Sequence, residues 1–499
     1  MKIAAPANPA DDIDLDPYSS LNLIVATTCS SEGHGWIGST TEMIKASSTE
    51  FKRLLTYSSK RKYVQIVVAS AISLIVIAVS WWYISLPWEW SDIDDPGFVL
   101  SLENETAKHG IFGYLTHVWH MVQVDLNWGL FRPSYWLYPS VVYGFPIGIA
   151  HLIRLALLLL ALIGPIIAFR RRGANTTTLV MGLCMIIISG RHLFDGLFLV
   201  SIQELSGAAF VGLGLMLRTG TSRLASWTIA AWFKSPFSWL LIGESVVLWR
   251  EGQRRQALLA GGLGIGTLSF SYVFASSGSY TTRYTLDYGA AWRAWTNVPK
   301  LLELGTAFML VALVWWLITT STQLRMDRMS AVLAVGWLGY TAQLLPWAVT
   351  GYYAGALNYL LPIFLFSLLT SNGSMVAWRR LVALGLPLLL AALTLTWIVR
   401  DLYAQNMTAR GVTDCIVSIG PAPVSISSSF GPEAVVRIEQ KLQIATGQSI
   451  WLVESFDPAS DTRPGTIYVL APEESVPSNL EIDGRCHLNR AVVGTAASN

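Results

Sequence analysis

The sequence predicts a mainly α-helical, polytopic membrane protein with a small α/β domain at its C-terminal end. Hydrophobic residues make up 53% of the 499 residues and charged residues only 13%, against roughly 25% charged in ordinary soluble domains. Long apolar runs recur from about residue 64 to residue 399, and the chain becomes polar beyond them. Together these observations argue against a cytosolic enzyme, a disordered chain and a disulfide-rich secreted scaffold.

Eleven apolar segments are candidate membrane spans, within a predicted transmembrane domain at residues 64–400. The first runs from Val64 to about Pro87. Lys234-Ser235-Pro236 separates the fifth from the sixth, and because proline breaks a helix we expect two short helices that meet within the membrane. The ten later spans are predicted at residues 144–169, 176–191, 200–217, 224–234, 236–250, 257–277, 301–320, 330–350, 356–372 and 379–399.

The distribution of lysine and arginine predicts the orientation. The polar segment 1–63, which shows no cleavable signal peptide, lies on the same side as every basic cluster, and the positive-inside rule makes that side cytoplasmic. The opposite side receives a loop at 88–143, a loop at 278–300 and a C-terminal domain at 401–499. This topology fits a bacterial inner membrane with a periplasmic C-terminus. The clusters are Lys60/Arg61/Lys62, Arg170/Arg171/Arg172, Arg218/Arg223, Arg250/Arg254/Arg255, Arg325/Arg328 and Arg379/Arg380.

The C-terminal domain has the pattern of a small α/β unit. Apolar residues recur at helical spacing in Pro432–Thr446, and three short runs are predicted strands. Because this side is extracytoplasmic, Cys415 and Cys486 are candidates for a disulfide bond, and two unpaired thiols are the alternative. The predicted strands are Val412–Ile419, Ile450–Glu454 and Thr466–Ala471.

The first outer loop holds the most informative acidic residues. It begins Trp88-Glu89-Trp90-Ser91-Asp92-Ile93-Asp94-Asp95-Pro96-Gly97-Phe98, directly after a predicted span. Carboxylates placed there can act as a general base or bind a divalent cation such as Mg²⁺ or Mn²⁺. Asp94 and Asp95 are the candidates for either role. The alternative is a solvated turn, since Asp-Pro-Gly is common in turns.

Other charged and aromatic residues are predicted at the same face. Ionisable groups at the edge of a span tend to face a cavity or a partner, because their burial in lipid is costly. Each could instead be a snorkelling side chain or one half of a helix–helix ion pair. Outer aromatic residues fit either an interfacial belt or contacts with sugar rings. The residues concerned are Arg132, Arg191, Glu204, Lys234, Arg283, Trp90 and Tyr284.

The overall layout resembles the GT-C superfamily, membrane glycosyltransferases that use polyprenyl-phosphate-linked sugars. The residues that carry the resemblance are Asp94-Asp95-Pro96-Gly97-Phe98 and Gly129-Leu130-Phe131-Arg132-Pro133. Phe233-Lys234-Ser235-Pro236-Phe237 is similar to a Lys-Glu element of some bacterial members, with Ser235 in place of the glutamate. The likeness in topology covers about residues 64–400.

The resemblance implies an inverting glycosyltransferase. Asp94 or Asp95, with Asp94 favoured, would deprotonate an acceptor hydroxyl that attacks the anomeric carbon. The implied partners are a polyprenyl-phosphate sugar donor, an extracytoplasmic glycan, lipid or protein acceptor, and membrane lipids, with no nucleic acid. The lipid phosphate would be stabilised as it leaves by Arg132, Lys234 and Arg283. The remaining substrate contacts would come from Asp92, Glu204, Arg191, Tyr284 and Trp90.

Three other functions stay open on the sequence. A lipid-linked glycan transporter or flippase also uses charged residues within spans, although the chain lacks matched inverted halves. A polymerase or ligase of envelope glycans also works at the outer face. An assembly subunit would instead bind a partner through its outer domain.

Overall fold

The computed structural model describes most of the chain beyond residue 94. The chain divides into two units, Met1–Trp81 and Trp82–Asn499, and every element named here belongs to the second. The described residues are 77, 80–86, 95–128, 131–197, 203–217, 220–275, 326–344, 355–371, 377–430, 433–447, 451–457, 463–471, 474, 480–482, 486, 488 and 491–496.

Helices dominate the described residues, and the strands lie near the C-terminus. The helices are α1 (Asp95–His109), α2 (Ile111–Trp128), α3 (Pro133–Tyr143), α4 (Ile147–Arg171), α5 (Thr176–Ser189), α6 (Arg191–Asp195), α7 (Gln203–Met216), α8 (Gly220–Phe233), α9 (Ser238–Arg250), α10 (Arg254–Ala275), α11 (Arg328–Leu344), α12 (Gly355–Ser371), α13 (Ala377–Ile419) and α14 (Glu433–Thr446). The strands are β1 (Val424–Ser427), β2 (Val453–Phe456), β3 (Ile467–Leu470), β4 (Leu480–Glu481) and β5 (Val492–Ala496).

Helices coincide with the predicted spans wherever those spans are described, from α4 at 144–169 to α13 over 379–399. The predicted span 301–320 lies outside the described residues, as does most of 64–87. Between α8 and α9, Lys234 has an extended backbone and Ser235–Phe237 forms a short 3-10 helix. The predicted helix break is therefore present.

One helix of the described residues, α4, is long and apolar enough to cross a membrane by itself. It has 25 residues, and its mean hydropathy is 2.6. Thr178–Ser189 and Leu357–Leu368 are shorter apolar stretches. The structure thus supports a mainly helical chain with a small sheet, and the polytopic arrangement stays a prediction.

Glycines allow the central helices to approach closely. A methyl group on Gly164 of α4 would lie 2.5 Å from the carbonyl oxygen of Gly212 in α7, so only glycine fits at this crossing. On the other side of α7, the Trp227 indole of α8 donates a hydrogen bond to Val211 O at 3.3 Å. α7 is therefore held between α4 and α8, as small residues permit in helix–helix contacts.

The described part of the predicted outer loop 88–143 is helical. α1 and α2 are joined at Gly110, whose φ of 60° suits glycine, and α3 begins at Pro133. Asp95-Pro96-Gly97 opens α1 and does not form the isolated turn that was the alternative. Proline is well tolerated in the first turn of a helix, where its missing N–H has no intrahelical partner.

The tail contains a five-stranded mixed sheet in the order β2-β1-β3-β5-β4. β1 pairs in parallel with β2 and with β3, while β5 pairs antiparallel with β3 and with β4. α14 connects β1 to β2 in the place predicted for a helix at 432–446. β2 and β3 overlap the predicted strands 450–454 and 466–471.

The predicted strand Val412–Ile419 is wrong, because α13 continues through it to Ile419. Val412, Cys415 and Ile416 have the spacing of one helical face, and all three are buried in the core of the tail. Cys415 is bonded to Cys486, which links this helix covalently to the sheet region. α13 also passes through residue 400, where the sequence predicts a boundary between two domains.

The tail packs against α1. Ile444 of α14 joins a cluster that includes Val99 and Leu102 of α1. A methyl group on Gly97 would lie 3.3 Å from the side-chain oxygen of Gln440. The tail therefore contacts the helix that begins at Asp95.

Candidate functional site

An aromatic cluster brings three sequence motifs together. Tyr135, Trp136 and Phe233 form its buried centre, and Phe98 and Tyr138 pack against them. Phe98 lies edge-to-face on Trp136 with 5.2 Å between ring centres, and Tyr138 lies edge-to-face on Phe233 at 5.9 Å. Such contacts favour particular ring orientations. The start of α1, the start of α3 and the end of α8 are therefore held beside one another.

The Phe-Arg-Pro and Phe-Lys-Ser-Pro motifs also touch through a second ring pair. Phe131 lies edge-to-face on Trp232, with 6.4 Å between the ring centres. Arg132 follows the first ring in the chain, and Lys234 follows the second by two residues. The charge of Arg132 acts on Lys234 through space. Two cations distant in the sequence therefore occupy one region.

Arg132 is held by a buried carboxylate from α2. Its Nε donates to Asp125 Oδ2 at 3.0 Å, and its Nη2 donates to Asp125 Oδ1 at 2.6 Å. The Asp125 side chain is 1% exposed and that of Arg132 is 16% exposed. The guanidinium also lies 4.6 Å from the centre of the Tyr135 ring. This bidentate pairing and the cation–π contact orient Arg132.

Lys234 is paired with Glu204 at the start of α7. Lys234 Nζ lies 2.6 Å from Glu204 Oε1, and the two side chains are 12% and 1% exposed. The Lys234 side chain comes from the break between α8 and α9, where the helix geometry no longer dictates its direction. The pair places a cation in a buried region, where low dielectric strengthens its attraction for an anion.

A buried tyrosine lies beside the 3-10 helix that follows Lys234. The charge of Glu204 acts on Tyr340 of α11, and the Phe237 ring lies edge-to-face on Tyr340 at 5.6 Å. Within the described part of the chain, the Tyr340 hydroxyl is buried and has no hydrogen-bond partner. A buried hydroxyl of this kind is a candidate hydrogen-bonding group for a ligand.

A second polar cluster surrounds the carbonyl oxygen of Leu197. The Tyr83 hydroxyl donates to it at 2.8 Å, and Arg154 Nη1 donates to it at 3.2 Å. His151 Nδ1 lies 3.0 Å from the Tyr83 hydroxyl. Arg154 and His151 are almost completely buried. This cluster places a buried arginine, Arg154, near the N-terminal end of α4.

The structure brings three predicted site residues into one region, namely Arg132, Glu204 and Lys234. Asp95 is the first residue of α1 and Arg191 the first of α6, and the side chains of both fall outside the described part. Five predicted site residues lie outside the described residues altogether: Trp90, Asp92, Asp94, Arg283 and Tyr284.

The sequence reasoning missed Asp125, Arg154 and Tyr340. Asp125 had a detectable signal, because it is an acidic residue seven positions before Arg132, on an otherwise apolar helical stretch. Arg154 lies inside the second predicted span, and a single arginine changes the mean hydropathy of so apolar a segment very little. Tyr340 had no signal, since only the packing of α11 against the 3-10 helix brings it to Phe237.

The described residues contain no group of three or more histidine, cysteine, aspartate or glutamate side chains placed to bind a metal ion. The predicted Asp94/Asp95 cation site falls outside the described side chains.

Comparison of the chain with protein-family models, with curated proteins and with solved structures finds no match in any of the three.

Proposed function

We propose that the protein is an inverting glycosyltransferase of the GT-C type, which transfers a sugar from a polyprenyl-phosphate carrier to an extracytoplasmic acceptor. One observation carries the proposal. The aromatic cluster joins the start of α1, which begins at Asp95, the second of the paired aspartates, to the segments that carry Arg132 and Lys234. A general base and two cations would then meet at one site.

In the proposed reaction, Asp94 or Asp95 accepts the proton of an acceptor hydroxyl. The acceptor oxygen attacks the anomeric carbon from the face opposite the phosphate, and the bond between that carbon and the phosphate oxygen breaks. The configuration inverts, and the carrier leaves as a lipid phosphate. Arg132 and Lys234 stabilise the negative charge that grows on the leaving oxygen.

The carboxylate partners of the two cations support this role. Arginine has five N–H donors, of which Asp125 receives two. Lysine has three, and Glu204 lies against one side of it. Each carboxylate can therefore hold its cation in position before the donor arrives, which is the preorganisation that electrostatic catalysis requires.

The proposal includes a multi-pass location in a bacterial inner membrane. α4 is long and apolar enough to cross, and Arg172, Arg223 and Arg328 of three predicted cytoplasmic connections line one pocket. This grouping supports the predicted orientation. The tail would then help to position the acceptor, because α14 packs on α1 close to Asp95.

The test is transfer of radiolabelled sugar from undecaprenyl-phosphate-linked hexoses and pentoses by purified full-length protein. Asp94→Asn, Asp95→Asn and the double variant are compared with Asp414→Asn, whose carboxylate is 66% exposed on α13. We expect the double variant to lose transfer by roughly 10²–10⁴-fold, as for removal of a general base. Asp414→Asn is expected to keep the wild-type rate.

Two results would overturn the proposal. One is unchanged transfer by the Asp94/Asp95 double variant. The other is movement of the lipid-linked sugar across vesicles with no bond broken, which would indicate the transporter or flippase.

A further inference from the structure

A pocket lies at the opposite end of α7 and α8 from Lys234. Its volume is about 310 Å³, and four arginines line it. Arg171 and Arg172 come from the end of α4, Arg223 from the start of α8 and Arg328 from the start of α11. No carboxylate is among the described residues that line it.

Two carboxylates, the buried Glu244 and the partly exposed Glu251, hold two of these arginines. Glu244, which is inaccessible to solvent, accepts hydrogen bonds from Arg223 Nη2 at 2.9 Å and from Arg328 Nη2 at 2.5 Å. Arg328 Nη1 also donates to Glu251 at 2.7 Å. Arg223 and Arg328 therefore have two carboxylates between them, Glu244 and Glu251.

The other two arginines are held differently. Arg172 forms an ion pair with Asp327 and donates to the Ser367 hydroxyl at 3.2 Å. Arg171 has only a neutral partner among the described contacts, the Met216 carbonyl oxygen at 2.6 Å. Its full positive charge is therefore uncompensated by any carboxylate in the described part.

Three further observations indicate a shortage of negative charge. The four arginines face three partner carboxylates, namely Asp327, Glu244 and Glu251. In the described part of the chain, the buried Nε atoms of Arg223 and Arg328 have no hydrogen-bond partner. Burial, and then the charge of Arg223, lowers the pKa of Arg172 to about 10. Arg172 stays protonated at neutral pH, and an anion would relieve this crowding.

The rest of the pocket wall is apolar. Phe169, Leu215, Met216 and Met329 are among the residues that line it. A wall of four arginines and six apolar residues suits a phosphate group attached to an apolar body. Arginine also binds phosphate with two parallel hydrogen bonds.

We propose that this arginine pocket binds a phosphate group. Two sources share this chemistry, a lipid phosphate headgroup and a free phosphate ion. The pocket is separate from the proposed catalytic region, so the inference does not depend on the proposed activity.

The experiment is calorimetric titration of the purified full-length protein in a non-ionic detergent. The probes are dihexanoyl phosphatidic acid, inorganic phosphate and dihexanoyl phosphatidylcholine, which carries no net charge. Binding of phosphatidic acid alone would assign the pocket to a lipid headgroup. Equal binding of inorganic phosphate would assign it to the free ion.

Arg171→Gln is the test variant, because Arg171 has no carboxylate partner to be left unpaired. Arg170→Gln is its matched control, since Arg170 is the preceding residue in the same basic run and does not line the pocket. We expect Arg171→Gln to weaken phosphatidic acid or phosphate binding by roughly tenfold, the loss of one charge-assisted contact, and Arg170→Gln to change it less than twofold. Thermal unfolding of both variants checks that they are folded.

Three results would overturn the inference. The first is that neither phosphatidic acid nor inorganic phosphate binds, the second is that Arg171→Gln binds them as tightly as the wild type, and the third is that Arg170→Gln loses as much affinity as Arg171→Gln. The last result would indicate general attraction to the basic surface.

Discussion

The two ends of α7 and α8 carry charge in different ways. At the end with Lys234, each of two cations has its own buried carboxylate, Asp125 for Arg132 and Glu204 for Lys234. At the other end, four arginines line one pocket. Three of them pair with Asp327, Glu244 and Glu251, and Arg171 has no carboxylate partner in the described part. The helices between them have 14 residues each, which corresponds to about 20 Å.

This difference separates two uses of arginine and lysine. One-to-one pairing neutralises a buried cation and fixes its direction, which suits a group that must act at a defined atom. A pocket in which one arginine has no carboxylate partner keeps net positive charge, which suits retention of an anion. The following experiments test whether the two ends are in fact different, from the largest expected effect to the smallest.

The largest effect is expected at the Lys234 end, on activity. Lys234→Met should lower the rate of sugar transfer by roughly 10²–10³-fold, because one preorganised charge for the leaving phosphate is lost. It should also destabilise the protein by about 3–5 kcal/mol, since Glu204 is left buried without its partner.

The double variant Lys234→Met/Glu204→Leu separates the two effects. Replacing a buried ion pair by apolar residues is often neutral for stability, so we expect the unfolding transition to recover while transfer stays low. Transfer assays and denaturant unfolding measure the two quantities. Recovery of transfer in the double variant would make Lys234 a structural residue only.

The second effect is on stability at the pocket end. Glu244→Gln should lower the free energy of unfolding by about 3–5 kcal/mol, because two arginines lose one buried carboxylate. Glu251→Gln is the matched control, and its partly exposed pair should contribute less than about 1 kcal/mol. Denaturant unfolding of the purified variants gives both values, and equal losses would contradict the central role of Glu244.

The third effect concerns geometry at the Lys234 end. Arg132→Lys keeps the charge but cannot reproduce the two parallel hydrogen bonds to Asp125. We expect a fall in transfer rate of roughly tenfold, about 1.4 kcal/mol in the barrier. Arg170→Lys, on the basic run at the other end, is the control and should leave the rate within twofold. An unchanged rate for Arg132→Lys would show that charge alone is enough.

The smallest effect is a pH dependence of the outer helices. Burial lowers the pKa of His117 in α2 below its usual value of 6.5, and the nearby charges of Glu105 and His120 act in opposite directions. A histidine whose pKa is lower in the folded state binds fewer protons than in the unfolded state, so its contribution is full above pH 6.5 and is lost as pH falls below it. The residues that line the arginine pocket include no histidine.

Thermal unfolding at pH 7.5 and at pH 5.5 measures this contribution. We expect the unfolding temperature to fall on acidification and to fall less in His117→Gln. His109→Gln is the control, because His109 is exposed at the end of α1, and it should keep the wild-type response. An identical fall in His117→Gln would assign the pH dependence to other groups.

Local sequence patterns were sufficient for most elements of the fold. Apolar runs located the helices from α4 to α12, and a proline located the break at Ser235–Phe237. The pattern failed at Val412–Ile419, because a short apolar run fits a strand and a buried helix equally well. There, the packing of Cys415 and Ile416 into the tail core favours the helix over the strand.

The candidate site was predictable only one residue at a time. Arg132, Glu204 and Lys234 were identified as charges in costly places, but their partners were not. Asp125 lies seven positions from Arg132, and Glu204 lies thirty positions from Lys234. Local periodicity contains no information about which side chains meet across helices.

Composition and hydropathy alone therefore indicate a helical chain with a polar tail, because burial of apolar surface depends on averages over many residues. Only the tertiary structure decides that one end of α7 and α8 carries paired charges and the other carries an arginine pocket. An ion pair depends on the distance between two particular atoms, and the folding of several helices sets that distance.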